Sequence, residues 1–416
     1  MGGSETRRLL RRPAYARYLA IITISRAAGT MFNVSGVLLL LQRTGSLSLA
    51  GAVTAAAILP GAVTGPLLGA WLDVAGSRRR LIVLDRVITL LALGALLVFA
   101  GHAPDWVLPI IGVAYGITSP LSWGGFASVM PEIAGQELID MAYTFEAAAV
   151  NAAFIVGPAL AGAIVAAASA EAAIGVQMGV GALITVTIAL DAAFDLRPQL
   201  APAPERIRDA VREGVSSLWR ITALRANFLT FTVYVTAWGM LVVAFPAYAL
   251  SVGARASSAG YMWAAIALGS TVSAFALRAR ALRLTPRVLV GGSFLVMGVG
   301  VAVWPLADDL AVALVLVLLT GLLDGPSFVA LLALRQRATP EHLRGQIFST
   351  AQSLSLAASA LGTAGAGPFR DAFGTTATLG AVAGLLLLSA LFALGMRESD
   401  ASAVPAEAAL GAEKLR

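Results

Sequence analysis

The chain has 416 residues, 58% of them hydrophobic and only 12% charged, with a mean hydropathy of +0.83. A soluble domain carries about a quarter charged residues, so a soluble enzyme or scaffold of this length is excluded. With no cysteine and only two histidines, His102 and His342, there is no disulfide, no thiolate metal site and no cysteine nucleophile. The net charge of +6 and pI near 10.1 would suit a nucleic-acid binder, but the cations are placed as a membrane protein places them.

Long apolar runs recur along the whole chain. A hydrocarbon core about 30 Å thick takes about 20 residues of helix to cross. Lipid leaves the backbone only helices or closed barrels, and these runs are too long and too evenly apolar for barrel strands. Twelve spans are predicted, at roughly 17–42, 47–72, 80–100, 105–130, 143–168, 172–192, 226–250, 257–279, 286–306, 309–334, 346–368 and 374–396. The opening "RRLLRRPAYARYLAIITIS" imitates a signal peptide, but its apolar run is too long for one and many spans follow.

The longest polar interval, 193–225, divides the chain into two sets of six spans: 1–192 and 226–416, the latter ending in a short tail. Within it, "PERIRDAVREGVSSLWRITALR" places Ile207, Val211, Val215, Leu218 and Ile221 at helical spacing and is read as an amphipathic surface helix. With the N-terminus inside, 25 of the 29 Arg and Lys residues fall on the inner side. Only Arg43, Arg255 and Arg370 lie outside, and Arg26 lies within a span. By the positive-inside rule both termini and the central loop are cytoplasmic.

The two halves echo each other. "PEIAGQELID" at Pro131 is followed by Gly157-Pro158, and "PEHLRGQ" at Pro340 by Gly367-Pro368. An upstream proline recurs at Pro120 and Pro326, and the basic turn "GSRRR" has a counterpart in "LRARALR", all at an offset near 209 residues. Paired bundles that rock about a central site are a transporter architecture.

The stretch "GAWLDVAGSRRRL" from Gly69 resembles the signature of the major facilitator superfamily, G-x-L-x-D-R-x-G-R-[KR], between the second and third helices. Gly69, Asp73, Gly76 and Arg78 match in register; Val74 and Ser77 replace the two usual arginines, with Arg79 and Arg80 following. "RAAGTMFNVSGVLLLLQRTGSLSLAG", "LPGAVTGPLLGAWLD", "RRRLIVLDR", "GPALAG" and "EGVSSLWRITALRANF" resemble the drug and siderophore exporter branch, which includes enterobactin-type and macrolide-type exporters. The resemblance implies an all-α membrane protein of twelve transmembrane helices in two pseudo-symmetric six-helix bundles. It also implies alternating access, usually with proton antiport, and a role for Asp73 in holding the outward-open state through helix 11. Helix 4 lacks the arginine that many proton-coupled exporters carry there, so a relay built on it does not transfer.

Ionisable residues inside a membrane are functional candidates. Arg26 lies about nine residues into the first span, about 13 Å deep at about 1.5 Å per residue. Asp324 lies near mid-depth in the tenth, in "LTGLLDGPSF", and Glu146 about one turn into the fifth. The resemblance puts helices 1, 4, 7 and 10 around a central cavity, hence Arg26, Trp123, Trp238 and Asp324 on its walls. Asp324 is read as a protonation site whose proton weakens its attraction for Arg26, and Glu146 as the rival proton carrier and the alternative partner of Arg26. Asn33, Asn151, Tyr234 and Gln352 are further polar candidates within spans. Asp85 and Arg86 read as a structural cluster beside the signature loop, and the Gly-Pro segments as packing and bending points.

The expected function is a proton-coupled exporter of a hydrophobic or amphiphilic small molecule; an uptake permease of the same fold and a non-transporting scaffold are the alternatives. No cofactor, metal or nucleic acid is expected. The partners are the solute, protons and lipid, and the chain is read as a monomer. The ratio of 28 arginines to one lysine, with abundant Ala and Gly, points to a GC-rich bacterial genome and so to the bacterial inner membrane.

Overall fold

The computed structural model describes residues 3–74, 77–191, 216, 218–276, 284–339 and 344–396. Their helices are α1 (Gly3–Leu10), α2 (Pro13–Thr44), α3 (Leu47–Val74), α4 (Arg78–Phe99), α5 (Val107–Gly116), α6 (Ser119–Ala134), α7 (Ile139–Ala167), α8 (Ala170–Leu190), α9 (Thr222–Ser251), α10 (Ala259–Ala276), α11 (Pro286–Val303), α12 (Leu310–Ala338) and α13 (Arg344–Ala393). Among the described residues, nine helices are long and apolar enough to cross a membrane, and Val107–Trp123 forms a shorter apolar stretch. One of the nine, α13, runs through Gly374 at φ +82 and is two spans joined by a sharp bend rather than a loop. With α10 the described segments make twelve crossings. Most of the predicted amphipathic helix, including Ile207, Val211 and Val215, lies outside the described residues; Leu218 is buried against Leu224, Phe228 and Ile347.

The fourth crossing departs from the expected continuous helix, because α5 ends at Gly116 and α6 begins at Ser119. Pro120 has no N–H to donate and its ring clashes with the preceding turn. Leu121 N–H consequently bonds Thr118 O at 2.8 Å, and the released Ile117 carbonyl accepts from the Thr64 hydroxyl of α3 at 2.9 Å. In lipid a freed backbone carbonyl needs such a partner. Pro326, three residues out of that register in the second half, leaves α12 unbroken.

Close packing shows the internal repeat more clearly than the prolines do. Gly112 and Gly116 of α5 lie against the carbonyls of Val53 and Ala57 in α3. Gly321 and Gly325 of α12, each 209 positions further on, lie against the carbonyls of Ile266 and Ser270 in α10. A Cβ at Gly112 would fall 2.5 Å from Val53 O, so only glycine allows this backbone approach. Gly116→Val is therefore expected to cost about 2–4 kcal/mol and to lower the thermal unfolding midpoint of the purified protein by several degrees. Gly175→Val in α8, where an added Cβ meets nothing within 4 Å, is the control and is expected to change little.

The bundles α2–α8 and α9–α13 meet through α3 on α13 and α7 on α10. Both contacts use small residues at matching positions. Ser48 and Gly51 of α3 face Gly367 and Thr363 of α13; Ser257, in the turn before α10, and Gly260, at its start, face Gly162 and Pro158 of α7. Ser48 Oγ donates to Asp371 Oδ2 at 2.5 Å, and Arg255 Nη1 to Ala166 O at 3.5 Å. All of these lie at the membrane face opposite the one from which α2 enters, so the bundles are sealed together there. Gly367 and Gly157 of the two Gly-Pro segments are packing points, the second against Thr30 and Ala27 of α2.

Candidate functional site

Among the described residues, the ionisable candidates within the spans fall into three clusters. The first surrounds Arg26 of α2, which is 7% exposed. Its guanidinium carbon lies 3.2 Å from the ring centroid of Trp123 in α6, a cation–π contact, and its Nη2 lies 3.9 Å from Glu146 Oε1 of α7. That distance is an ion pair without a hydrogen bond. Arg26 Nε is buried with no hydrogen-bond partner among the described residues. Trp123 is itself half exposed.

The second cluster is Asp85 and Arg86 of α4. Asp85 is fully buried and fully engaged: Arg86 Nη2 reaches Oδ2 at 2.7 Å, Thr118 donates to Oδ1 at 2.8 Å, and Ser122 donates to Oδ2. Arg86 also reaches Ser122 Oγ at 3.1 Å and Ser25 Oγ of α2 at 3.5 Å. This network ties α4 to α2 and to the break in the fourth crossing, where Thr118 sits.

The third cluster lies in the other bundle. Asp324 of α12, 7% exposed, accepts from Tyr234 Oη of α9 at 2.5 Å and from Ser270 Oγ of α10 at 2.9 Å. No Arg or Lys pairs with it among the described residues. Tyr234 stacks on Phe294 (4.9 Å between centroids) and meets the edge of Trp238, which stacks in turn on Trp263. The structure thus brings Arg26 to Glu146 and Trp123, and Asp324 to Tyr234 and Ser270. It does not bring Arg26 to Asp324.

The remaining candidates are distributed as follows. Asn33 is half-buried on α2, and Gln352 is exposed on α13. The side chains of Asn151 and Asp73, and Gly69 beyond its helical backbone, lie outside the described residues, as does Gly76. In the signature loop Arg78 is buried and pairs with Glu132 at the end of α6 (2.9 Å), while Arg79 is half-buried and Arg80 exposed. Arg78 and Glu132 thus bind the loop to the Pro131 segment of the same bundle.

Sequence reasoning missed Arg335. Counted there as a cation at a membrane face, it is 2% exposed, in the last turn of α12. Its Nε donates to Asn227 Oδ1 of α9 at 3.0 Å, it lies 4.8 Å from the Phe231 ring, and its Nη2 has no partner among the described residues. Asn227 Nδ2 donates to Leu331 O at 2.8 Å. The available signal was spacing: Asn227 and Tyr234 are seven apart in α9, and Asp324 and Arg335 eleven apart in α12, so each pair shares one helix face. Asn227→Leu would leave the buried guanidinium without its one acceptor. It is expected to destabilise the protein by about 3 kcal/mol, and Asn227→Leu with Arg335→Met to recover most of that in thermal unfolding.

No group of metal-binding side chains occurs among the described residues. What the site offers is a carboxyl in each bundle, aromatic walls and the Arg26 guanidinium, whose Nε has no partner among the described residues. The family model described as Major Facilitator Superfamily matches residues 19–363. The chain is 30% identical over 376 residues to an uncharacterised MFS-type transporter, y4rN, of Sinorhizobium fredii, covering 87% of this chain and 89% of that one. It is 29% identical to the multidrug efflux pump Tap of Mycobacterium tuberculosis, covering 94% and 95%. Among solved structures, a bacterial homologue of the human lysosomal transporter Spinster, inward-facing and unoccupied, superposes with a TM-score of 0.72 at 14% identity, over 94% of this chain and 96% of that one. A bacterial homologue of the iron transporter ferroportin, inward-facing, gives 0.70 at 15% identity, over 93% and 98%.

Proposed function

The chain belongs to the major facilitator superfamily, and from that premise we propose that it is a proton-coupled exporter of hydrophobic or amphiphilic small molecules in a bacterial cytoplasmic membrane. The observation that carries this reading is Asp324, a buried carboxyl in the middle of α12, bonded among the described residues to hydroxyls from two neighbouring helices. A hydroxyl donates or accepts, so Tyr234 and Ser270 serve both the ionised and the protonated acid. A proton at Asp324 changes the bonding of α12 to α9 and α10, and such a change biases an equilibrium between two arrangements of the bundles. The relatives named as multidrug efflux pumps support export over uptake.

Two bundles, 1–192 and 226–416, joined by the segment 193–225, rock about the central site in this reading. The positive-inside charge distribution puts both termini in the cytoplasm. The small-residue seam then closes the outer face, and the conformation is inward-facing. Substrate enters from the cytoplasm or the inner leaflet and meets Arg26, Trp123, Trp238 and Asp324. Inverted membrane vesicles test the proposal with a panel of cationic, neutral and anionic lipophilic dyes. Uptake of at least one dye is expected only while a proton gradient is imposed, and to stop with a protonophore. Equal uptake of every dye with and without the gradient counts against it.

A further inference from the structure

We propose that Arg26 is a receptor for a carboxylate on the transported molecule, so that this transporter selects amphiphiles carrying an acidic group; this rests on the cavity placement proposed above. Arg26 is 93% removed from solvent by its 7% exposure, yet none of its donors makes a hydrogen bond among the described residues. Its one ionic contact, to Glu146, is 3.9 Å long. A guanidinium presents a planar fork of donors matched to a carboxylate. Here the Trp123 ring lies against the fork, and no described residue takes a hydrogen bond from it.

The surroundings show where a ligand would lie. At about 100° per residue, the α2 side chains that touch neighbours account for most of its circumference. Thr30 bonds Ala153 O of α7, Ser35 reaches Gln177 of α8, Phe32 stacks on Tyr115 of α5, and Ser25 meets Arg86 of α4. The remaining sector holds Arg26, Gly29 and Asn33. Gly29 is exposed, and a Cβ there would meet nothing within 4 Å. An open strip therefore runs beside the guanidinium, floored by glycine, with an amide at Asn33 and the half-exposed indole of Trp123 alongside. A carboxylate on an aromatic or alicyclic body fits this strip: the acid on Arg26, the body over Gly29 and against Trp123. Such a carboxylate competes with Glu146 for the same cation.

Rhodamine 110 and its methyl ester, rhodamine 123, share one ring system and differ in a single free carboxylate. Their equilibrium binding to the purified full-length protein, read by fluorescence anisotropy, tests the assignment. Rhodamine 110 is expected to bind at least about tenfold more tightly. Arg26→Gln should bring the two within twofold by weakening rhodamine 110 alone, Arg26→Lys should retain part of the preference, and Glu146→Gln should strengthen rhodamine 110 by removing the competing acid. Tighter binding of the ester, no binding of either dye, an unchanged ratio in Arg26→Gln, or no gain in Glu146→Gln overturns the proposal. Gradient-driven dye uptake that persists without a carboxylate preference defeats this inference alone. A carboxylate preference without gradient-driven uptake defeats the coupling proposal alone.

Discussion

Asp324→Asn is expected to abolish proton-driven accumulation of substrate, lowering it by about a hundredfold, while substrate exchange across the membrane without a gradient stays within about threefold of wild type. The amide has nearly the shape of the acid and still accepts from Tyr234 through its oxygen, but its nitrogen side, facing Ser270 Oγ, donates where the acid accepted. A serine hydroxyl reorients to accept, so the fold survives and only the titratable proton is lost. Tyr234→Phe is the companion variant. It removes the 2.5 Å bond to Asp324 but leaves the ring on Phe294, so coupling should weaken by about tenfold with stability little altered. Both are measured in proteoliposomes, with gradient-driven uptake and counterflow recorded on the same preparation.

The double variant Gly51→Leu with Gly260→Leu is expected to lose transport by at least about tenfold through a different route. A Cβ at Gly51 would lie 2.6 Å from Thr363 O, and one at Gly260 2.5 Å from Pro158 O. Branched side chains there wedge α3 from α13 and α7 from α10 at equivalent points of the two halves. Packed surfaces are bistable rather than continuously deformable, so the wedge removes the sealed arrangement from the cycle instead of loosening it. The chain has no native cysteine, so Gly29→Cys supplies a single thiol in the open strip beside Arg26. A membrane-impermeant maleimide applied from the side of the 252–258 loop should label it slowly in the otherwise wild-type protein, and at least about tenfold faster in the double variant. Equal labelling rates would mean that the seam is not the barrier on that side.

Much of the fold is legible in the sequence because the bilayer imposes a length that few other environments impose. Runs of about 20 apolar residues mark nearly every crossing, and the bend at Gly374 falls at the start of the last predicted span. The repeat was also visible, but through its prolines; the glycines that set the helix approaches, Gly112, Gly116, Gly321 and Gly325, carry no periodicity signal strong enough to separate them from the many other glycines. Pro120 and Pro326 look alike in sequence, yet only the first breaks its helix, because Thr64 is placed to receive the released carbonyl.

The polar clusters were legible as a set of residues but not as pairings. Arg26, Glu146 and Asp324 were each identifiable as ions at membrane depth, and depth alone permits several partnerships. What separates them is which helices share a bundle: α2 and α7 lie side by side, whereas Asp324 is turned toward α9 and α10. Arg335 escaped notice because a cation in the last helical turn ordinarily reaches water, and only the tertiary placement of Asn227 and Phe231 holds it inside. Aromatic neighbours such as Phe294 and Trp263 were likewise indistinguishable from lipid-facing residues until their stacking on Tyr234 and Trp238 was seen.

The central claim is that a proton on Asp324 is exchanged in step with the movement of substrate. Its most direct test is proton flux in sealed proteoliposomes containing a trapped pH indicator, with transported dye added and no imposed gradient. Wild-type protein should move protons when dye is added, in proportion to the dye transported, and Asp324→Asn should move dye with no proton signal. A proton signal of wild-type size from Asp324→Asn would contradict the account.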